Sequence, residues 1–507
     1  MSAPLDEKDS ALPAAESIVS RTVLSESTTR FQRLTAFLGR FGVETHGIEP
    51  VPRELRVDRR NYQLMMIWFS SVMNLQGLTV GAGGPVVFKL SFKNAAINLL
   101  ITDVLSLIIP AYFAIFGPKL GTRSLVQARF SWGVYGVVLP SVLNVFSMIG
   151  YLIIGIIVGG QLLARATDNL SSTSGIVINA FLTLAVSFCG YRVIHWFASL
   201  AWIPTVIGLV TMLSVGGRYL GPAIKADEHR YPHPTVASTL SFAATVAAGN
   251  LSWCTMMSDY GVYHDAKGST AMIFTYSYVG LFIPSILTHL LGAAFAVAAP
   301  HIHSWRAGYE GGNNLGGLIS AVLAPCGRFG TFLVVIMALS ITGVNAPTMY
   351  SCGISLMNVS RVFAKIPRYV FAILATAIII PVSIVAEAHF YSALVSVFNL
   401  IGYWCSSYAA IIFIEHVLFR RRQSVRYEVC NWDNAAKLPP GLAAFLSFCL
   451  SFALIVPCMK QTWYVGPIAR SGTGDIGLLA GFFGTRQIGF NFAGSTVPRS
   501  FKTALRT

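Results

Sequence analysis

Apolar residues dominate this chain in long blocks separated by short polar stretches, and that spacing is the first thing it declares. No Asp, Glu, Lys or Arg occurs from Asn61 to Phe88, Phe130 to Ala164, Tyr231 to Ser258, Gly268 to Trp305, Phe329 to Ser360, Ala388 to Ile414 or Leu438 to Met459. Each block is long enough for at least one span of about 20 residues. In hydrocarbon every backbone polar group needs an internal partner, so such blocks predict helices. The pattern places spans near 63–88, 94–117, 134–164, 174–191, 194–215, 236–260, 270–300, 317–346, 368–387, 390–419 and 441–460. A twelfth, opening at 475–483, turns polar at Gly484, Thr485, Arg486 and Gln487, so it is expected to be degraded or replaced by a tail.

Two of these helices carry residues that should interrupt them. The first contains Gly77, Gly81, Gly83, Gly84 and Pro85, and the sixth contains Gly249, Asn250, Ser252 and Trp253 at its centre. Unwound backbone at membrane depth persists where it lines a cavity or is buried in protein. Interrupted segments at matching places in two halves of a chain point to a transporter site near the midplane. Helices one and six are related as an inverted repeat of five helices requires. The competing reading is that the glycines only allow close helix packing.

Composition agrees with the pattern. The chain is 54% hydrophobic and 11% charged over 507 residues, against about 25% charged in ordinary soluble chains. Its net charge of +15 would suggest nucleic acid in a soluble protein. Here basic residues in loops and tails explain it better, because they collect on the cytoplasmic side of membrane proteins. With the N-terminus inside, Lys119, Arg123, Arg129, Arg192, Lys267, Arg361, Lys365 and Arg420 to Arg422 all fall in cytoplasmic loops. The expected organisation is a cytoplasmic tail over 1–60, a transmembrane domain over 61–483 and a cytoplasmic tail over 484–507. The eight cysteines are scattered without a CxxC pair, which argues against a metal site, and no cofactor is implied.

Inside the spans, Asn345 offers an amide beside Pro347, and Trp253 offers a flat face for stacking. Asp103 and Asp259 are the main intramembrane acids and the candidates for proton coupling. His289 stands alone in the sequence. No HExxH or GxSxG motif is present, so a membrane-embedded enzyme is disfavoured.

Four stretches resemble the nucleobase–cation symporter-1 family, in its fungal purine-cytosine permease branch: GIEPVPRELRVD, FGPKLGTRSLVQARFSWGVYG, EGGNNLGGLISAVLAPCGRFGTF leading into ALSITGVNAPTMYS, and NLIGYWCSSYAAIIFIEHVLFR. The resemblance implies an all-α protein of about twelve helices, a LeuT-like five-plus-five inverted repeat with broken helices one and six. It implies a heteroaromatic substrate held between aromatic residues of helices three and six, with amides reading its edge. Trp253 matches the helix-six aromatic. Tyr151 stands where such permeases usually carry Trp, and Gly155 where they usually carry a substrate-binding Asn. Val344 and Asn345 stand where two asparagines are frequent, and the first-helix serine corresponds to Ser70 or Ser71. The expected cargo is a nucleobase such as cytosine or a purine, imported across the plasma membrane by proton symport. Sodium, through Ser340 and Thr342, is the alternative ion. The missing amides keep open a vitamin-like ring such as pyridoxine, a secondary metabolite, or a non-transporting receptor.

Overall fold

The computed structural model describes residues 48–167, 169–188, 190–230, 233–360 and 362–496. Most of the expected N-terminal tail, up to residue 47, and residues 497–507 lie outside the described residues. Among the described residues the chain is helical, with two isolated β-bridges and no longer strand.

Among the described residues, twelve successive helical segments can be traced. The first is a bent pair, Tyr62–Val72 and Leu75–Val86, at 56°. Then follow Phe92–Leu120, Val138–Ala164, Ser172–Phe188, Gly190–Arg230 and Val236–Ser252. The second half comprises Thr270–Ala298, Gly327–Ser340 with Thr342–Val359, Arg368–Glu387, Phe390–Ile414, Leu442–Cys458 and Gly477–Thr496. Seven helices meet the length and hydropathy of a membrane span alone, and the bent pair makes an eighth.

Three boundaries depart from expectation. The eighth span does not cover 317–346. Leu315–Leu323 is a short helix of its own, Pro325 and a positive-φ Gly327 follow it, and the two helices Gly327–Ser340 and Thr342–Val359, joined at Ile341, make up the rest of the span. The uncharged block from Phe329 to Ser360 marked it better than the apolar run did. The fifth helix continues to Arg230 through Pro204 and Pro222 instead of ending near 215. The twelfth is a helix of 20 residues that runs on through Arg486 and Gln487, so position 484 lies inside it. It packs against the tenth and eleventh spans, which gives a polar helix a protein surface to lie on.

Much of the packing pattern is preserved under exchange of helix n with helix n+5. The first span packs on the seventh and the second on the sixth. The third packs on the tenth and the eighth on the fifth; the fourth on the eighth and the ninth on the third. The first on the fifth is matched by the sixth on the tenth. These matched pairs are the contacts that a five-plus-five repeat produces. It also sorts the helices into two groups: one, two, six and seven against three, four, eight and nine.

The core lies where the groups meet. The most apolar stretches of the third and tenth spans are 72% and 83% buried, those of the fifth and ninth only 33%. The outer helices expose apolar side chains: Leu100, Ile101 and Leu105 on the second, Ile373, Leu374 and Val385 on the ninth. Contiguous apolar surface of this kind needs a covering, and a bilayer supplies it. The segment before the first span lies along one end of the bundle. The Val51 amide donates to the Gly121 carbonyl at 2.8 Å, and the Asp265 amide donates to the Asp58 carbonyl at 2.8 Å.

Candidate functional site

The first span breaks at Asn74, not at its glycines. The helix ends at Val72, and Asn74 is extended at φ −139° and ψ 170°. Its Oδ1 accepts from the Gln76 amide at 2.7 Å and the Gly77 amide at 3.3 Å. Its Nδ2 donates to the Ser71 carbonyl at 2.7 Å. One side chain therefore satisfies backbone groups on both sides of the gap, which hydrocarbon could not do. The glycines do something else. A β-carbon on Gly77 would lie 2.2 Å from Thr288 Oγ1, and one on Gly81 would lie 1.8 Å from the His289 carbonyl oxygen. They let the second piece seat against the seventh span, the close-packing role.

The sixth span is interrupted where the sequence suggested, but it does not resume. Its α-helix ends at Ser252, Trp253–Thr255 is a 3₁₀ turn, and residues 256–263 are turns. The Tyr151 hydroxyl lies 2.7 Å from Ser252 Oγ and 3.4 Å from the Gly249 carbonyl oxygen, so the third span holds the end of this helix. Trp253 is half-buried and packs edge-on against Trp68, with centroids 5.7 Å apart. Trp68 packs in the same way on Tyr260 at 5.4 Å.

The polar centre forms over Gly155. A β-carbon there would lie 2.3 Å from Asn345 Oδ1 and 2.3 Å from Gln76 Nε2, so the missing side chain is what makes room for both amides. Gln76 Nε2 donates to the Tyr151 carbonyl at 3.3 Å. Asn345 is 1% exposed, and its Nδ2 has no hydrogen-bond partner. Buried donors are nearly always paired, and an exception calls for a reason.

The structure thus brings Tyr151, Gly155 and Asn345 together around Gln76, with Trp253 one residue beyond Tyr151's partner Ser252. Ser70 is buried in the first piece. The Ser71 hydroxyl donates to the Ile67 carbonyl at 2.8 Å and serves its own helix. Ser340 Oγ donates to the Met337 carbonyl at 2.7 Å and lies 3.0 Å from Thr205 Oγ1. Thr342 Oγ1 is buried without a partner.

The two acids separate. Asp259 accepts from the Ser124 amide at 2.7 Å, capping the helix Ser124–Gly136 near one end of the bundle. Asp103 is fully buried, with Asn250 Nδ2 and His289 Nδ1 each at 2.8 Å. His289 is therefore not alone. Its partner is 186 residues away in sequence, a separation that no local pattern reveals. Asn74 and Gln76 were equally hidden. They sit in the Gly-rich first span, and what gives them meaning is the break at Asn74 and the Tyr151 carbonyl that Gln76 meets.

A family profile for permeases for cytosine/purines, uracil, thiamine and allantoin matches residues 50–466. The purine-cytosine permease fcyB of Emericella nidulans is 34% identical over 459 residues, covering 89% of this chain and 88% of that protein. The purine-cytosine permease FCY2 of Saccharomyces cerevisiae is 31% identical over 471 residues, covering 90% and 87%. Among solved structures, Mhp1, a nucleobase-cation-symport-1 family transporter in a closed conformation, superposes with a TM-score of 0.65 at 15% identity, over 89% of this chain and 96% of that one.

Proposed function

This chain belongs to the nucleobase–cation symporter-1 family of permeases, and from that premise we propose that it imports a purine or cytosine by alternating access around the amide centre over Gly155. The observation that carries the substrate reading is the unpaired amide of Asn345. Purines and cytosine present ring nitrogens and, in several cases, a carbonyl oxygen along one edge, and each can accept that donor. Gln76 adds a second amide within reach, and Trp253 supplies an aromatic surface. The edge-reading amide that relatives carry on the third span is thus replaced from the first. A site that hydrogen-bonds a substrate discriminates strongly against rings that lack the matching atom.

The transport cycle follows from the two helix groups. One group rocks against the other about a fixed midplane site, and the interrupted ends at Asn74 and Ser252 are where the moving group bends. The coupling ion is the proton, with sodium at Thr342 as the competing arrangement. The end of the bundle carrying Arg56, Lys119, Arg123 and Arg420 is the cytoplasmic one, by the bias of basic residues to that side. The N-terminal tail then lies in the cytoplasm, residues 61 onward form the transporter domain, and the plasma membrane is its location.

Uptake of labelled adenine, hypoxanthine, cytosine, uracil and pyridoxine, measured in cells lacking their own permeases, tests this reading. Saturable uptake of a purine or cytosine is expected. Uptake of pyridoxine alone would redirect the assignment. No uptake of any probe, with the protein at the cell surface, would favour a receptor.

A further inference from the structure

The segment that ends the sixth span has two working sides. Two residues along a helix turn about 200°, so Asn250 and Ser252 leave it on nearly opposite sides. Ser252 meets Tyr151 beside the Gly155 centre. Asn250 points away, and its Nδ2 donates both to Asp103 Oδ1 and to Ser106 Oγ, at 2.8 Å each. The other Asp103 oxygen lies 2.8 Å from His289 Nδ1. Asp103 is 0% exposed and His289 5%. The backbone carbonyl of His289 is the surface on which Gly81 of the first span rests. One carboxylate–imidazole pair therefore touches spans two, six and seven, and through the His289 backbone also the first. These four make up one of the two helix groups.

The surroundings contain little else that titrates. Tyr278, also on the seventh span, donates its hydroxyl to the Val104 carbonyl at 3.0 Å. The sixth span contributes Asn250 and the first contributes Gly81, neither of which ionises. Asp227 of the fifth span accepts from the Phe92 amide, at the far end of the second span. An acid inside a membrane protein is costly and marks a functional path by default. A buried carboxylate is tolerated when it is paired and hydrogen-bonded, and here its partner is a side chain that can itself gain a proton.

We propose that Asp103 and His289 together bind the coupling proton, and that Asn250 transmits its presence to the break in the sixth span. This rests on the reading of the chain as an ion-coupled importer. Before uptake the proton of the Asp103–His289 bond sits on His289 Nδ1, facing an ionised Asp103, and His289 Nε2 carries none. A second, taken from the outside at His289 Nε2, converts the pair to carboxylate and imidazolium. No other bond forms or breaks, and the same proton leaves to the inside after the substrate. Charge compensation by the imidazolium relaxes the carboxylate's demand on the Asn250 amide. The end of the sixth span, with Ser252 and Trp253 on its other side, is then free to shift around bound substrate.

The test uses the full chain, purified and reconstituted, and has two parts. The first needs no substrate: infrared difference spectra between acid and neutral pH. The wild type is expected to show a coupled carboxylate and imidazole signal that disappears in both Asp103→Asn and His289→Gln. Its absence from the wild type, or its survival in His289→Gln, overturns the proposal. The second part compares accumulation of labelled adenine against a pH gradient with its exchange at equal pH. For one proton, the wild type should concentrate adenine about tenfold per pH unit. His289→Gln should not concentrate it, and its exchange should no longer quicken toward acid pH as that of the wild type does. Accumulation by His289→Gln equal to the wild type, or accumulation driven by sodium and indifferent to pH in both, overturns the proposal. Should Asp103→Asn fail to reach the membrane, His289→Gln, which keeps an amide donor for Asp103, carries the test. A wild type that carries no adenine at all would count against the transport reading, while the spectra still decide whether the pair titrates.

Discussion

An unpaired buried amide donor costs about 1–3 kcal/mol, and the Asn345 Nδ2 is in that position. Its removal should therefore act with opposite signs on folding and on binding. Asn345→Ala is expected to leave the thermal midpoint of the purified, substrate-free protein unchanged or raised. It should weaken substrate binding by about 2 kcal/mol, some thirtyfold in Kd. A parallel loss of stability and uptake would assign the residue to packing instead. Gly155 gives a second residue-scale prediction. An added β-carbon would press on the ends of two side chains, Asn345 and Gln76, and not on backbone. Gly155→Ala should accordingly fold and reach the surface, with KM raised about tenfold or more, the scale of a lost or bent hydrogen bond. Asn345 and Trp253 were legible because an amide and an indole inside apolar blocks are uncommon. Gln76 and His289 were not, because their significance lies in what meets them from distant spans: Tyr151 and the space over Gly155 for one, Asp103 for the other.

The interrupted helices show how a composition signal can be right in place and wrong in cause. The first span was expected to break, and it does, by 56°. The break comes from Asn74, whose side chain caps the second piece and holds the end of the first. The glycines that suggested it are contact surfaces, and they differ among themselves in a testable way. Gly81→Ala would drive a β-carbon to 1.8 Å from the His289 carbonyl oxygen, while at Gly83 nothing lies within 4 Å. Gly81→Ala should deplete the protein from the cell surface, and Gly83→Ala should be close to wild type, as fluorescence of a tagged protein would report. Equal behaviour of the two would remove the packing account of the first span. In the sixth span the helix continues through Gly249 and Asn250 and ends at Ser252, so the place was read to within a turn and the glycine again is not the break. The turns that follow lack a sequence signature, since an apolar, uncharged run predicts helix whether or not its neighbours allow one. The eighth span was misplaced for the related reason that the apolar run continues upstream into Leu315–Leu323 across Pro325.

For the molecule as a whole, the apolar pattern gave eleven spans and left the twelfth in doubt, and the resemblance gave the repeat, while the sorting of helices into two groups came only from packing. That sorting makes a distance prediction. Spin labels at Val236 and Phe329, both exposed, sit on spans six and eight, in different groups. Labels at Val236 and Val87 sit on spans six and one, in the same group. Addition of a transported base should change the first distance and leave the second. Movement of both, or of neither, would contradict rocking of one group against the other. The account depends above all on where the substrate sits. A cryo-electron microscopy structure of the protein with a transported base tests that most directly. The account predicts a ring beside Trp253, with one of its acceptors within hydrogen-bond distance of Asn345 Nδ2. A base bound elsewhere, with that amide paired to protein, would contradict it.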